Sequence, residues 1–297
     1  MSAQTVLFDA PGPKGRVRNL VIGIVGVVLC LALGLGLLWA LRTQLLDVQR
    51  WLPFVEGTTW TAYVIPGLIN TLQAAAISII TASVLGVLLG LGRLSTIRLI
   101  KVPAGVIVEV FRAIPVLMMM LFFYYVFLYS GMLSGFMLPL VSVIGGLTLY
   151  NGSVIAELIR SGVKSLPKGQ REAGLAVGLS ENQTLRSVLL PQAITAMLPS
   201  LLSQLVVVLK DTALGFIITY PDLLQSMNIL AAGRGNLLAA FVVAAVIYIL
   251  INYGVTKLAG TVERTIRQRR GIHTVTAAPV EAPDQDESAT DALATRP

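Results

Sequence analysis

Apolar residues run along this chain in long, nearly uncharged blocks, and the short segments between the blocks gather the charge. Uncharged stretches of about 20 residues, the length a helix needs to cross a bilayer, occur at 21–41, 66–92, 187–209 and 235–256. A further stretch, 113–156, is too long for one crossing. Ser130, Gly131, Gly135 and Pro139 supply turn chemistry near its middle and divide it into two helices. The pattern therefore predicts an all-α membrane protein with six transmembrane helices. Composition agrees, since 12% of the residues are charged against about 25% in soluble domains.

One polar island interrupts this pattern. Residues Glu172 to Pro191 read E-A-G-L-A-V-G-L-S-E-N-Q-T-L-R-S-V-L-L-P. Pro167 suits a first helical turn, Ala173, Ala176 and Val177 recur at helical spacing, and Gly178 suits a left-handed stop. A second helix is predicted at once, because Ser180 and Gln183 have the spacing of a reciprocal capping box. Two helices meeting at an elbow present a docking element to a partner. The competing reading is an amphipathic helix lying on the membrane surface.

Lys and Arg orient the spans. With the N-terminus inside, the cytoplasmic segments hold Lys14, Arg16, Arg18, Arg93, Arg98, Lys101, Arg160, Lys164, Lys168, Arg171, Arg186, Lys257, Arg264, Arg267, Arg269 and Arg270. The outer segments hold Arg42, Arg50 and Arg234. Both termini and the polar island are thus expected in the cytoplasm. The net charge of +7 then reads as a topology and lipid signal, with no aromatic-interleaved basic patch for nucleic acid.

The first apolar block is too long for a signal peptide and lacks a small-residue cleavage site, so it is expected to remain as a helix. Cys30 is the single cysteine and His273 the single histidine, which leaves neither a disulfide nor a metal site within the chain. Residues 42–65, with Trp51, Pro53 and Trp60, read as an outer connection with tryptophans at the interface. Beyond Gly271 the sequence loses periodicity and turns polar, which predicts a disordered cytoplasmic tail over 271–297.

The island carries a resemblance. Glu172-Ala173-Gly174, then Gly178, then Val188-Leu189-Leu190-Pro191 resembles the EAA loop of permease subunits of bacterial ABC importers, with Gly174 in place of the usual third Ala and Val188 in place of Ile. Further segments resemble the polar amino acid subfamily in order: Asn70-Thr71-Leu72-Gln73, Glu109 to Pro115, Tyr150-Asn151-Gly152 with Ala156-Glu157, Pro167-Lys168-Gly169-Gln170, and Leu209-Lys210-Asp211-Thr212. The resemblance implies a five-helix type I permease core over 66–260 with a coupling loop at 161–187. It also implies an added helix at 21–41 after a cytoplasmic segment at 1–20. Pro167, Lys168, Gly169, Glu172, Ala173, Gly174 and Gly178 would then contact an ATPase subunit. Two ATPase copies, a second permease subunit, identical or homologous, and an extracytoplasmic solute-binding protein are the implied partners. The segment V-L-F-D-A-P-G-P-K-G-R and the extra helix are similar to glutamate-uptake permeases of actinobacteria, which points to glutamate among polar amino acids.

Energy has to come from the partner. A phosphate-cradling loop needs G-x-x-x-x-G-K-[ST], and the only Lys followed by Ser or Thr is Lys164, preceded by Val163. ATP and Mg are therefore assigned to the ATPase, and this chain is expected to bind no cofactor. No cluster suited to catalysis is visible, so the chain reads as a transport subunit, not an enzyme.

Charges at membrane depth are costly and mark either partners or pathways. Lys210 and Asp211 are the candidates for a substrate pathway; adjacent positions on a helix do not face each other, so each needs another partner or the helix must unwind there. Asn70, Gln73, Thr81 and Asn151 could line the same cavity or join packed helices by hydrogen bonds. Glu109 with Arg112 and Glu157 with Arg160 are spaced i, i+3, suiting ion pairs in a gate or scaffold. Pro115 should bend the third span, and Gly86, Gly90 and Gly92 read as close-packing positions. The alternative reading is an ion-coupled secondary amino acid transporter, which would call for more intramembrane carboxylates. A membrane scaffold would leave the loop spacing without a purpose.

Overall fold

In the computed structural model, residues 12–269 are described; the tail at 271–297 and most of the 1–20 segment lie outside them. Helix α1 (Pro13–Leu45) opens with proline in its first turn, where a missing N–H costs nothing. It runs well past both ends of the 21–41 block. None of the residues in its most apolar window is buried, so it stands beside the bundle and adds nothing to the core.

Helix α2 (Gly57–Leu94) starts nine residues before the expected block, and helix α7 (Glu181–Ile218) likewise begins earlier than 187 and ends later than 209. Each contains one π turn, Trp60–Val64 in α2 and Leu185–Leu189 in α7. Each π turn ends two residues before a proline, Pro66 or Pro191. A proline ring crowds the carbonyl of the preceding turn and cannot donate to it, and widening that turn by one residue makes room without ending the helix.

Between these spans, α3 (Arg98–Ala113) and α4 (Val116–Ser130) meet at 98°. The break is local in origin. Ile114, with φ −87° and ψ 128°, is held extended by the ring of Pro115, and no helix passes through an extended residue. The bend expected at Pro115 is thus a full corner, and α3 is an element the uncharged blocks did not announce. Helix α5 (Met137–Lys164) is the most enclosed span. The chain continues through α6 (Lys168–Ala176), α7, α8 (Leu223–Arg234) and α9 (Leu237–Arg269).

The core forms where α2 and α5 touch backbone to backbone. A methyl group added at Gly86 would lie 2.6 Å from Cβ of Ile155, and one at Gly90 would lie 3.0 Å from Cβ of Ile159. Gly92 abuts Ala104 of α3 at 3.0 Å, so all three glycines predicted to pack closely do so. Around this seam, Ala74, Met120, Val143, Leu147, Val208 and Tyr220 form one buried cluster that joins α2, α4, α5 and α7.

Two ends of the bundle result. At the α6 end lie Arg93, Arg98, Lys101, Lys164, Lys168 and Arg171, which line neighbouring cavities. At the opposite end, Arg50 donates to the Gly235 carbonyl at 3.1 Å, and Arg234 pairs with Glu56 at 3.0 Å. Trp51 and Trp60 donate their indole N–H groups to the carbonyls of Leu45 and Phe54. The connection of 42–65 is therefore ordered, and its last part is already helical.

Candidate coupling surface and substrate pathway

The polar island folds as its residues require. Helix α6 ends in a double hydrogen bond, with Gly178 N–H donating to Leu175 C=O at 3.0 Å and Leu179 N–H to Gly174 C=O at 3.2 Å. This closure needs a left-handed residue, and Gly178 supplies it at φ +86°. Ser180 and Gln183 then form the reciprocal capping box at the start of α7. The elbow is locked by Arg171, which donates to both carboxylate oxygens of Glu181 at 3.0 and 2.5 Å. These hydrogen bonds hold the Arg171 guanidinium above its ordinary range.

The seven residues assigned to coupling divide by direction. Pro167, Lys168, Gly169, Glu172, Ala173 and Gly178 are exposed, and beside them Val177 is 78% exposed although apolar. Gly174 points the other way. It is buried, and a methyl group there would meet Cγ2 of Thr184 at 2.6 Å. Glycine in place of the usual alanine is thus fitted to the threonine of the facing helix. Gln192 donates to Gln170 at 3.0 Å, a second tie between α6 and α7. The result is a short, rigid, outward-facing helix.

Just above the elbow, Glu157 of α5 collects three guanidinium groups. Arg93 donates to it at 2.8 Å, Arg160 donates to both its oxygens, and Arg112 lies 3.7 Å away. The pair Glu157 with Arg160 forms as the spacing predicts. The pair Glu109 with Arg112 does not form: Glu109 accepts instead from Arg93 at 3.1 Å. Its partner comes from another helix because α3 packs across the ends of α2 and α5, and the tertiary neighbours outcompete the i, i+3 neighbour. With Arg93, the four charges tie α2, α3 and α5 together where α5 approaches α6.

The pathway candidates scatter. Lys210 is exposed and lines a cavity with Tyr248, Ile249 and Asn252 of α9. Asp211 is half-buried, and no ion pair joins the two among the described residues. From Thr212 to Ile218 the helix tightens to 3-10 geometry, so regular α-helix ends at this charged step. Asn151 is buried and accepts from Gln204 of α7 at 2.6 Å, and Thr81 bonds Thr148 at 2.6 Å. Asn70 donates to the Pro221 carbonyl at 2.8 Å. Asn151 and Thr81 join packed helices, Asn70 ties α2 to the connection before α8, and none of the three lines the cavity of Lys210. Gln73 is exposed.

Sequence reasoning missed the segment that follows α7. Thr219 takes a left-handed φ of 58°, turning the chain so that Tyr220, fully buried, donates to the Asn70 carbonyl at 2.8 Å. Thr71 Oγ1 accepts from Leu223 N–H at 3.0 Å. Asp222, also buried, caps α8 by accepting from Gln225 N–H at 2.8 Å. The Asp-x-x-Gln spacing of this cap was a readable signal.

With an exposed helical elbow on an all-helical bundle in view, the relatives decide the family. Residues 82–268 match the family described as binding-protein-dependent transport system inner membrane component. This chain belongs to that family. The glutamate transport system permease protein GluD of Corynebacterium glutamicum is 48% identical over 240 residues, 81% of this chain and 88% of that protein. The probable glutamine ABC transporter permease protein GlnP of Bacillus subtilis is 32% identical, over 68% of this chain and 93% of that protein. A crystal structure of an amino acid ABC transporter with histidines superposes with a TM-score of 0.65 at 28% identity, over 71% of this chain and 98% of that one. The inward-facing MetNI methionine ABC transporter shares the fold, with a TM-score of 0.59 at 20% identity over 71% and 98% of the two chains. The protein is a multi-pass permease subunit of an ABC importer in the bacterial cell membrane, as the EAA-like loop led one to expect. A secondary transporter is set aside by the same match.

Proposed function

We propose that this permease moves a polar amino acid, glutamate first among them, into the cell and receives its driving force through α6. The observation that carries the coupling role is the elbow itself: an exposed helix closed at its C-terminal end by Gly178 and tied to α7 by the Arg171–Glu181 pair. Such a helix transmits a push without deforming. Two ATPase copies carrying ATP and Mg, a second permease subunit and an extracytoplasmic binding protein complete the machine, with both termini and α6 on the cytoplasmic side. Cysteines placed at Thr58 and Met132 should then react with an impermeant reagent from outside intact cells, and one at Ser165 should not.

The glutamate assignment follows the 48% identical relative, whose name states its substrate. Lys210 offers a cation beside Tyr248 and Asn252 to a substrate carboxylate, and the half-buried Asp211 offers its partner charge to an ammonium group. Uptake of labelled glutamate, competed separately with glutamine, aspartate and arginine, tests the substrate. Uptake that none of the three strongly reduces supports the assignment. Stronger competition by arginine or glutamine would move it to that amino acid.

A further inference from the structure

Three cations at the α6 end lie outside the seven residues assigned to coupling. Arg98 and Lys101 stand on the first turn of α3, and Lys164 closes α5. Among the described residues none of the three forms a salt bridge. All three line a cavity of about 500 Å³ between the ends of α2, α3 and α5. All three also line the adjoining cavity of about 490 Å³, which reaches α6. The carboxylates that face these spaces are engaged already, Glu109 by Arg93 and Glu181 by Arg171.

The deep wall adds one net positive charge, because Arg93, Arg112 and Arg160 meet the two carboxylates Glu109 and Glu157 there. Like charges brought together in a partly enclosed space repel, and an anion between them removes the repulsion. Two basic residues at a helix start add to the adverse field, since that end of the helix is already positive. The remaining wall is apolar. Val102 and Val106 line the same cavity and are 60% and 56% exposed. Helix α3 meets α4 at 98°, so when α4 crosses the bilayer α3 lies along its surface with these valines at the boundary.

A cationic cup with a greasy rim at a membrane surface matches one kind of molecule. We propose that the cavity between α2, α3 and α5 holds the phosphate of an anionic phospholipid, gripped by Arg98, Lys101 and Lys164, with an acyl chain against Val102 and Val106. The placement rests on the reading above that the α6 end faces the cytoplasm. The bound lipid would brace α3 against the end of α5, directly behind the coupling helix.

Native mass spectrometry of the full chain in detergent, titrated with phosphatidylglycerol or phosphatidylcholine, tests this. The chain should retain phosphatidylglycerol and release phosphatidylcholine. Replacing Arg98, Lys101 and Lys164 together with Gln should weaken phosphatidylglycerol retention about a hundredfold, from the usual contribution per cation near a membrane. Replacing Lys14, Arg18 and Lys257 with Gln removes the same charge elsewhere and should leave retention unchanged. Equal retention of the two lipids, or equal loss in the two triple variants, would overturn the site. Displacement of the lipid by millimolar inorganic phosphate would reassign it to a soluble phosphate. Should the first triple variant fail to insert, the three single variants decide, and unchanged retention in all of them overturns the proposal. Retention is read without any ATPase, so it fails separately from the coupling role, which co-elution with the ATPase reads.

Discussion

At one end of the bundle α6 stands clear of its neighbours, held by backbone stereochemistry at Gly178, a capping box and the Arg171–Glu181 pair. At the opposite end the segment from Thr219 to Leu223 lies inside the bundle, tied to α2 through Tyr220, Thr71 and Asn70. The first is a surface whose shape is set within some twenty consecutive residues. The second is a plug whose ties to α2 cross about 150 residues of chain. A surface shaped by its own residues can face outward, and a part that closes a bundle takes its shape from the bundle.

The largest effect that would break this contrast belongs to Gly178. A side chain at φ +86° is strained whatever space surrounds it, so Gly178→Leu should abolish uptake and substrate-stimulated ATP hydrolysis while insertion, followed by membrane fractionation, stays normal. Unchanged uptake in that variant would end the coupling assignment. At the buried face of the same helix, Gly174→Ala should impair uptake through its clash with Thr184, and adding Thr184→Ala should recover it.

Next in size come the charges between the two ends. Glu157→Gln leaves Arg93, Arg112 and Arg160 facing one another, and removing the charged acceptor from a part-buried hydrogen-bond network costs about 1 to 3 kcal/mol. A marked fall in the thermal stability of the purified protein is the expected reading; an unchanged midpoint would mean that these charges do not brace the α5 end. For Lys210 and Asp211, uptake per inserted molecule should collapse in Lys210→Met and in Asp211→Asn, and should not return in the double variant. Recovery in the double variant would make the two a structural pair.

The smallest effect sharpens the far end. Asp222→Ala removes the cap of α8 and should cost about 1 to 2 kcal/mol, whereas Asp222→Asn keeps a good cap and should cost little. Equal losses in a thermal melt would show that charge, not capping, is the role of this residue.

The same contrast explains what could be read from the chain. The elbow was legible because Gly178, Ser180 and Gln183 answer a local backbone demand, and such demands are residue-specific. The spans were legible as uncharged blocks, yet their ends were not, since α2 and α7 continue through π turns past the blocks. Helix α3 stayed hidden because Arg98, Lys101, Glu109 and Arg112 interrupt it, and its uncharged run from Val102 to Val108 is too short to cross a bilayer. The partner of Glu109 stayed hidden too: Arg93 sits on another helix, and no spacing along one helix reveals it. For the same reason Tyr220 and Thr71 could not be foreseen, while the cap at Asp222 could have been.

The glycine seam between α2 and α5 has a mechanical consequence. Where Gly86 and Gly90 press against Ile155 and Ile159, the two helices cannot slide past each other without collision, so they behave as a single stiff beam. Only three residues separate the end of α5 from α6. A displacement of the elbow is therefore delivered to one end of a lever of 28 residues, about 42 Å long at 1.5 Å per residue. The far end of that lever is where α2 meets Tyr220, so a thrust at α6 is felt at the plug as a tilt.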